Sequence, residues 1–334
     1  MKSLRMPLAI FFLLHSAVIC ASFFAPYPPE SQNRQFPFAP PTTLHWRDQA
    51  GHFHLRPFVY GIRSNTDGET YSEDPSAEYP IKFFLSERRP NRSSLHLFAV
   101  QEPGHLFLLG TDEFGRDLFS RILYGGRVSI AAGLLAMIIA LSLGTLLGSL
   151  AGIFGGALDS TIMRLAELGL ALSWIYLLLA VRAFLPLRTP PLETCLLVAG
   201  LLGLTGWARP ARLIRGLVLS AKERGFVMTA RGFGARNSYI FRRHLLPQLL
   251  PLILTQAVVL IPQFIMAEVA LSFLGLGATE PLASWGNLLS DLQKYHVIAS
   301  YWWMLTPVLV LVLFSFSYLL LLNSLQRRVQ SVAV

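Results

Sequence analysis

Three stretches of this chain, residues 128–158, 245–267 and 297–326, contain no charged residue at all. A single helix needs about 20 consecutive apolar residues to cross the hydrocarbon core of a bilayer. Because lipid offers the backbone no hydrogen-bond partners, a helix is also the form such a run must take. Each stretch therefore predicts one membrane-crossing helix. Composition agrees: 53% of the 334 residues are hydrophobic and only 14% are charged, which is too apolar for a water-soluble domain of this size.

Further spans are measured by the same ruler. Residues 7–24 form an apolar run behind Lys2 and Arg5, which would hold its start in the cytoplasm. The run is read as a retained anchor and not as a cleaved signal peptide, since it is long and no clean small-x-small cleavage site precedes Phe23. Ala17 and Ile19 also suit a lipoprotein attachment at Cys20 poorly. Residues 159–208 are about two crossings long and are interrupted by Arg182, Pro186, Arg188, Pro190 and Pro191, so a helical hairpin with arms 162–181 and 192–208 is expected. The expectation is an all-α polytopic membrane protein with six transmembrane helices.

Orientation comes from the basic residues. Residues 209–243 carry nine Lys or Arg against one acid, Glu223, and Arg327 and Arg328 come after the last span. This positive-inside pattern places that loop and both termini in the cytoplasm. It also accounts for much of the net charge of +9 without nucleic acid, because the loop lacks stacking aromatics and any reader motif. Cys20 and Cys195 both lie in apolar segments, so neither a disulfide framework nor a closed zinc site is expected.

The chain accordingly divides into residues 1–24 (cytoplasmic end and first span), 25–127 (extracytoplasmic insertion and pre-span segment), 128–328 (core with five spans and the basic loop 209–243) and 329–334 (tail). The insertion is proline-rich over 25–41. Strand-like runs at 79–85 and 94–100, with Asp67-Gly68 as a candidate hairpin turn, predict a small β-containing module. His45, His52 and His54 are read as exposed loop histidines, no carboxylate or cysteine being spaced to complete a metal site.

Residues 225–251, GFVMTARGFGARNSYIFRRHLLPQLLP, read as helix, break, helix. Phe226, Val227, Ala230 and Phe233 recur at helical spacing, so a short helix can present one apolar face. Gly234 suits the left-handed residue that ends it, and Ser238 can cap the next helix. Such a basic amphipathic helix can rest on anionic lipid or dock into a partner's groove. The stretch resembles the EAA loop of ABC importer permeases, with Met228, Thr229 and Ala230 at the E-A-A positions, Gly234 at the glycine and His244, Leu246 and Pro247 at the closing element.

Two further stretches resemble the oligopeptide, dipeptide and nickel branch of that family. One is GTDEFGRDLFSRILYGGRVSI at 110–130, with Gly110, Thr111, Asp112, Gly115, Arg116, Asp117, Ser120 and Arg121 on its signature; the other is AEVALSFLGLGATEPLASWGNLLSD at 267–291. The resemblance covers about 110–328 and the first span, and leaves 27–104 uncovered.

What the resemblance implies is a pore-forming subunit of a type I importer in the bacterial inner membrane. It would pair with a second permease subunit and two cytoplasmic ABC ATPase subunits, served by an extracytoplasmic solute-binding protein. ATP-Mg would bind the partner ATPase and no cofactor this chain, which has no phosphate-binding G-x-x-x-x-G-K-[ST] loop and not one Gly-Lys pair. The implied task of Gly225, Phe226, Val227, Met228, Thr229, Ala230, Arg231, Gly234 and Ala235 is coupling to the ATPase. Met228 stands where the family has a glutamate, which removes any salt bridge made there.

Glu268 interrupts an otherwise uncharged stretch and is expected either to face a cavity or to hydrogen-bond a neighbouring helix. For Asp112, Glu113, Arg116 and Asp117, a self-paired helix contacting the binding protein is preferred over a metal or catalytic carboxylate pair. An ion-coupled secondary transporter, using Glu268, is the alternative; a membrane-embedded enzyme is weakest, since HExxH and GxSxG are absent. The transported solute is not readable from these residues.

Overall fold

A computed structural model describes residues 2–64, 70–89, 92–171, 173, 175–177, 179–180 and 190–332. Helices α1 (Lys2–Ile19) and α2 (Ala21–Phe24) precede strands β1 (His45–Arg47), β2 (Phe53–Ser64), β3 (Tyr71–Pro80), β4 (Lys82–Arg89) and β5 (Arg92–Ala99). Then come α3 (Leu118–Phe154), α4 (Gly156–Ala171), α5 (Pro191–Gly206), α6 (Ala208–Lys222), α7 (Gly225–Gly232) and α8 (Asn237–Ile240). A π turn, Phe241–Leu245, leads into α9 (Leu246–Phe273), and α10 (Trp285–Ser290), α11 (Tyr295–Ser300) and α12 (Thr306–Val332) complete the chain.

Among the described residues, four helical segments are long and apolar enough to cross a bilayer: Leu118–Phe154, Pro191–Lys222, Asn237–Phe273 and Trp302–Leu325. The apolar part of α1 is shorter, Met6–Ile19, so the single span expected over 7–24 is instead broken at Cys20. The third expected span begins as α4, but much of 172–189 lies outside the described residues, as does the Asp67-Gly68 turn.

The ends of the spans depart from expectation where charge is met by tertiary partners. Helix α3 starts ten residues before the uncharged run, taking in Arg121 and Arg127, and stops at Gly155 and Gly156, whose φ of 66° and 60° only glycine adopts readily. The fourth span does not end at Ala208: α5 and α6 form one 32-residue segment, so Arg209, Arg212 and Arg215 ride on a helix and not in a loop. Arg215 Nε lies 2.5 Å from Asp159 Oδ1, which meets its charge. The last span is preceded by a break at Tyr301 (φ −123°, ψ 77°) and begins several residues later than the uncharged run does.

The chain separates into two compact units, one of Met1–Leu8, Ser129–Gly277 and Ser315–Val334, the other of Ala9–Val128 and Ala278–Phe314. In the first, Ala136 and Ala140 of α3, Val198 and Leu202 of α5 and Leu260 and Phe264 of α9 form one buried cluster. Gly144, Gly148 and Gly152 put a smooth stripe of α3 against α6. A Cβ on Gly148 would stand 2.4 Å from the Ala211 carbonyl oxygen, so the close approach of the two backbones requires glycine. In the second unit, β1, β2 and β3 form an antiparallel sheet and β4 and β5 a separate hairpin. The strand expected over 79–85 is thus split at Ile81, whose amide bonds the Pro57 carbonyl (2.9 Å).

Candidate functional site

Helix α7 sits on a second buried cluster of the first unit, contributed by Ile214, Val218 and Ala221 of α6, Val227 of α7, and Ile240, Leu245 and Leu249 beyond it. Val227 is fully buried and Ala230 packs beside it. The apolar face expected from spacing is divided: Phe226 and Phe233 are exposed (41% and 88%), as is Met228 (62%). One side of α7 therefore anchors it, and the other presents large apolar side chains with Arg231 and Thr229.

The exit from α7 is tightly specified. Gly234 has φ 79°, its amide bonds the Arg231 carbonyl (2.9 Å), and the Ala235 amide reaches back to the Ala230 carbonyl (3.0 Å). These are the two bonds of a Schellman motif, with Ala230 and Ala235 supplying its apolar contact. Ser238 does not cap the next helix. Arg236, extended at ψ 151°, takes that position, and α8 already begins at Asn237. The π turn then accommodates Pro247, which has no amide hydrogen to continue an α-helical ladder.

The same unit contains a cavity of about 740 Å³ walled by the α5–α6 segment, α9 and α12, together with Gly169 and Leu170 of α4. Thr205 and Arg209 lie four residues apart on one side, Val259 and Gln263 on another, and Ser315 and Tyr318 on the third. Glu268 is not among its walls. It is buried, accepting a hydrogen bond from Ser272 Oγ (2.7 Å) and another from Ser129 on α3. This is the helix-contact arrangement of the two that the sequence left open.

In the second unit the eight signature positions come together, six of them in a loop before α3 and Ser120 and Arg121 in its first turn. Residues 110–117 form a tight loop that Thr111 and Asp117 close by a β-bridge. Gly110 (φ 78°) and Gly115 (φ 69°) make it possible: a Cβ on Gly115 would stand 1.8 Å from the Asn33 carbonyl oxygen. Thr111 Oγ1 donates to the Phe36 carbonyl (2.6 Å) and accepts from the Ala39 amide (2.7 Å).

Asp112, fully buried, accepts from the amides of Phe114 (2.9 Å) and Arg116 (3.0 Å), from Arg116 Nε (2.7 Å) and from Arg121 Nη1. Glu280 closes the cluster, 2.7 Å from Arg116 Nη1 and 2.6 Å from Arg121 Nη2. Two carboxylates thus neutralise two guanidiniums. Asp117 Oδ2 accepts from the Ser120 amide (2.8 Å) and hydroxyl (2.6 Å). Burial nevertheless pushes its carboxyl up to about 7, against those hydrogen bonds. Glu113 pairs with Lys294, beside Asp291, which burial and the Glu113 charge push up to about 6.

Glu280 carries no mark in the sequence, because Asp112 and Arg116 already balance locally and nothing in the spacing asks for an acid 164 residues on. The histidines are paired and not simply exposed. Asp48 Oδ2 lies 3.1 Å from His52 Nδ1 and 3.3 Å from His54 Nε2, and Glu73 lies 2.9 Å from His45 Nε2. A carboxylate does stand among them, yet among the described residues no group is arranged to hold a metal ion.

Four long apolar helical segments, with a glycine-terminated helix among basic residues and a glycine-locked ionic loop before the first of them, define a polytopic helical membrane protein. The profile of the binding-protein-dependent transport system inner membrane component family matches residues 144–331, and the chain belongs to that family. It is 39% identical over 220 residues to the oligopeptide transport system permease protein OppC of Escherichia coli K12, covering 65% of this chain and 70% of that one. The dipeptide transport system permease protein DppC of Bacillus subtilis 168 is 38% identical over 196 residues. That alignment spans 59% of this chain and 59% of the relative's length. A solved structure described as an inward-facing MetNI methionine ABC transporter matches 63% of this chain and 95% of its own at 20% identity and a TM-score of 0.46, too loose a likeness to carry an argument.

Proposed function

We propose that this chain is the permease subunit of an ATP-driven importer for peptides or related small solutes, forming half of the translocation pathway. The carrying observation is α7, anchored through Val227 and ended by the Gly234 motif, which offers an exposed apolar and basic face to a partner. The names of its relatives, dipeptide and oligopeptide transport permeases, support the solute class. In this reading α7 seats in a cleft of a cytoplasmic ATPase, where ATP-Mg binds and is hydrolysed, and conveys its closure to the spans as a rigid-body movement. A second permease completes the pathway and a solute-binding protein delivers from outside. In this reading both termini are cytoplasmic, which the basic residues beyond α5 and Arg327 and Arg328 near the end of α12 support.

The test is affinity purification of the full chain in mild detergent with identification of co-purifying proteins, for the wild type and for Gly234→Asp. The reading requires an ABC ATPase and a second permease with the wild type, and loss of the ATPase or of its transport-linked hydrolysis with the variant. A chain recovered alone, moving solute indifferently to ATP, would instead establish the secondary transporter.

A further inference from the structure

The walls of this cavity have an uneven chemistry. Leu202, Thr205, Gly206 and Arg209 fall at the i, i+3, i+4, i+7 spacing of one helical stripe, so the guanidinium is presented by the same face that walls the cavity. On the facing spans, Gln263 lies midway along α9, and Ser315 and Tyr318 lie well within α12. Among the described residues, Arg209 is the single charged group of the lining. No carboxylate stands there with it, and among the described residues it makes no ion pair or hydrogen bond. Arg215, two turns further on, is by contrast tied to Asp159.

Arg209 is itself exposed, so its charge is open to an anion that enters the cavity. Guanidinium geometry matches a carboxylate bidentately, in two parallel charge-assisted hydrogen bonds. The other polar groups here, the Gln263 amide and the Ser315 and Tyr318 hydroxyls, are uncharged and select no sign of charge themselves.

We infer that Arg209 is the specificity-determining residue of a solute subsite in this cavity, where it pairs transiently with the free carboxylate of the passing solute. This rests on the importer reading above and sharpens it: the transported molecule carries a carboxylate, as a peptide does at its C-terminus, and the apolar walls accommodate its side chains.

The experiment measures uptake of labelled alanyl-alanine and of its C-terminal amide by cells carrying the complete transporter, with wild type, Arg209→Ala and Arg209→Lys compared at equal membrane abundance. The binding protein is the same throughout, so a change in the acid-to-amide ratio belongs to this chain. Arg209→Ala should lower uptake of the free acid at least tenfold and that of the amide less than twofold, and Arg209→Lys should restore part of the preference. Where the wild type excludes the amide altogether, Arg209→Ala should raise the KM for the acid at least tenfold while ATP hydrolysis stays within twofold. Equal losses for acid and amide, loss of hydrolysis together with uptake, or no change in any variant would overturn the inference. A wild type that takes up neither dipeptide in an ATP-dependent way would overturn the importer reading instead.

Discussion

Replacing Asp112 with alanine removes one of two acids that neutralise Arg116 and Arg121, and the structure sets how much that costs. Asp112 is fully buried and accepts four hydrogen bonds, two from guanidiniums and two from backbone amides. Without it, Arg121 and Arg116, whose side chains are 1% and 5% exposed, would share only Glu280. Leaving a buried charge short of its partner costs about 3–5 kcal/mol. Glu280 differs: its side chain is 43% exposed, so water replaces much of what Glu280→Gln removes, and about 1 kcal/mol is expected. Since about 1.4 kcal/mol is a factor of ten in an equilibrium, Asp112→Ala should open the segment around residue 112 more than ~100-fold more often, against less than ~10-fold for Glu280→Gln. Limited proteolysis of the purified full chain in nanodiscs, at protease levels where reclosing is fast relative to cleavage, reads this ratio. Equal rates for the two variants, or an Asp112→Ala protein as resistant as wild type, would refute the assignment of the buried cluster as the element that holds the pre-span loop.

The packing sets three other outcomes. Gly148→Ala must push α6 away from α3, because the new Cβ would meet the Ala211 carbonyl oxygen at 2.4 Å; a loss of roughly 1–3 kcal/mol is expected in thermal unfolding, and an unchanged melting temperature would count against the close approach. Gly234→Ala has open space but a φ of 79°, so it should weaken protection of the α7 amides from hydrogen exchange by about 1 kcal/mol, whereas Gly232→Ala, inside the helix with equal space, should strengthen it by about 0.5–1 kcal/mol. Asp117, raised from 3.8 to about 7, takes up a proton on folding within that window, so its contribution declines as pH rises from about 4 to 7, by up to ~1.4 kcal/mol per pH unit; Asp291 adds a slope of the same sign below about 6. Asp117→Asn should flatten the measured stability-pH profile, and a profile as steep as that of wild type would contradict the assignment.

The middles of the spans were legible because burial in lipid leaves a one-dimensional trace, a run without charge. Their ends were not, since each depends on a partner far away in sequence. Arg127 begins inside α3 because its guanidinium reaches the carbonyls of Val18 (3.0 Å) and Ile19 (2.5 Å), and Arg121 because Asp112 and Glu280 hold it. Arg209 looked like the first residue of a loop, and only the helix running on to Lys222 turns it toward a cavity. Gly234 was readable from local chemistry alone, being the residue after a short helix that must go left-handed. Ser238 misled for the same local reason: it is a good cap, but the Schellman exit delivers Arg236 to the capping position two residues earlier.

The most direct test of the account is uptake into proteoliposomes. The chain would be reconstituted with the second permease and ATPases that co-purify with it, loaded inside with ATP-Mg and given the solute-binding protein and a labelled dipeptide outside. The account predicts accumulation that stops when ATP is replaced by a non-hydrolysable analogue and that Gly234→Asp abolishes. Accumulation that persists without ATP and tracks an imposed ion gradient would contradict it.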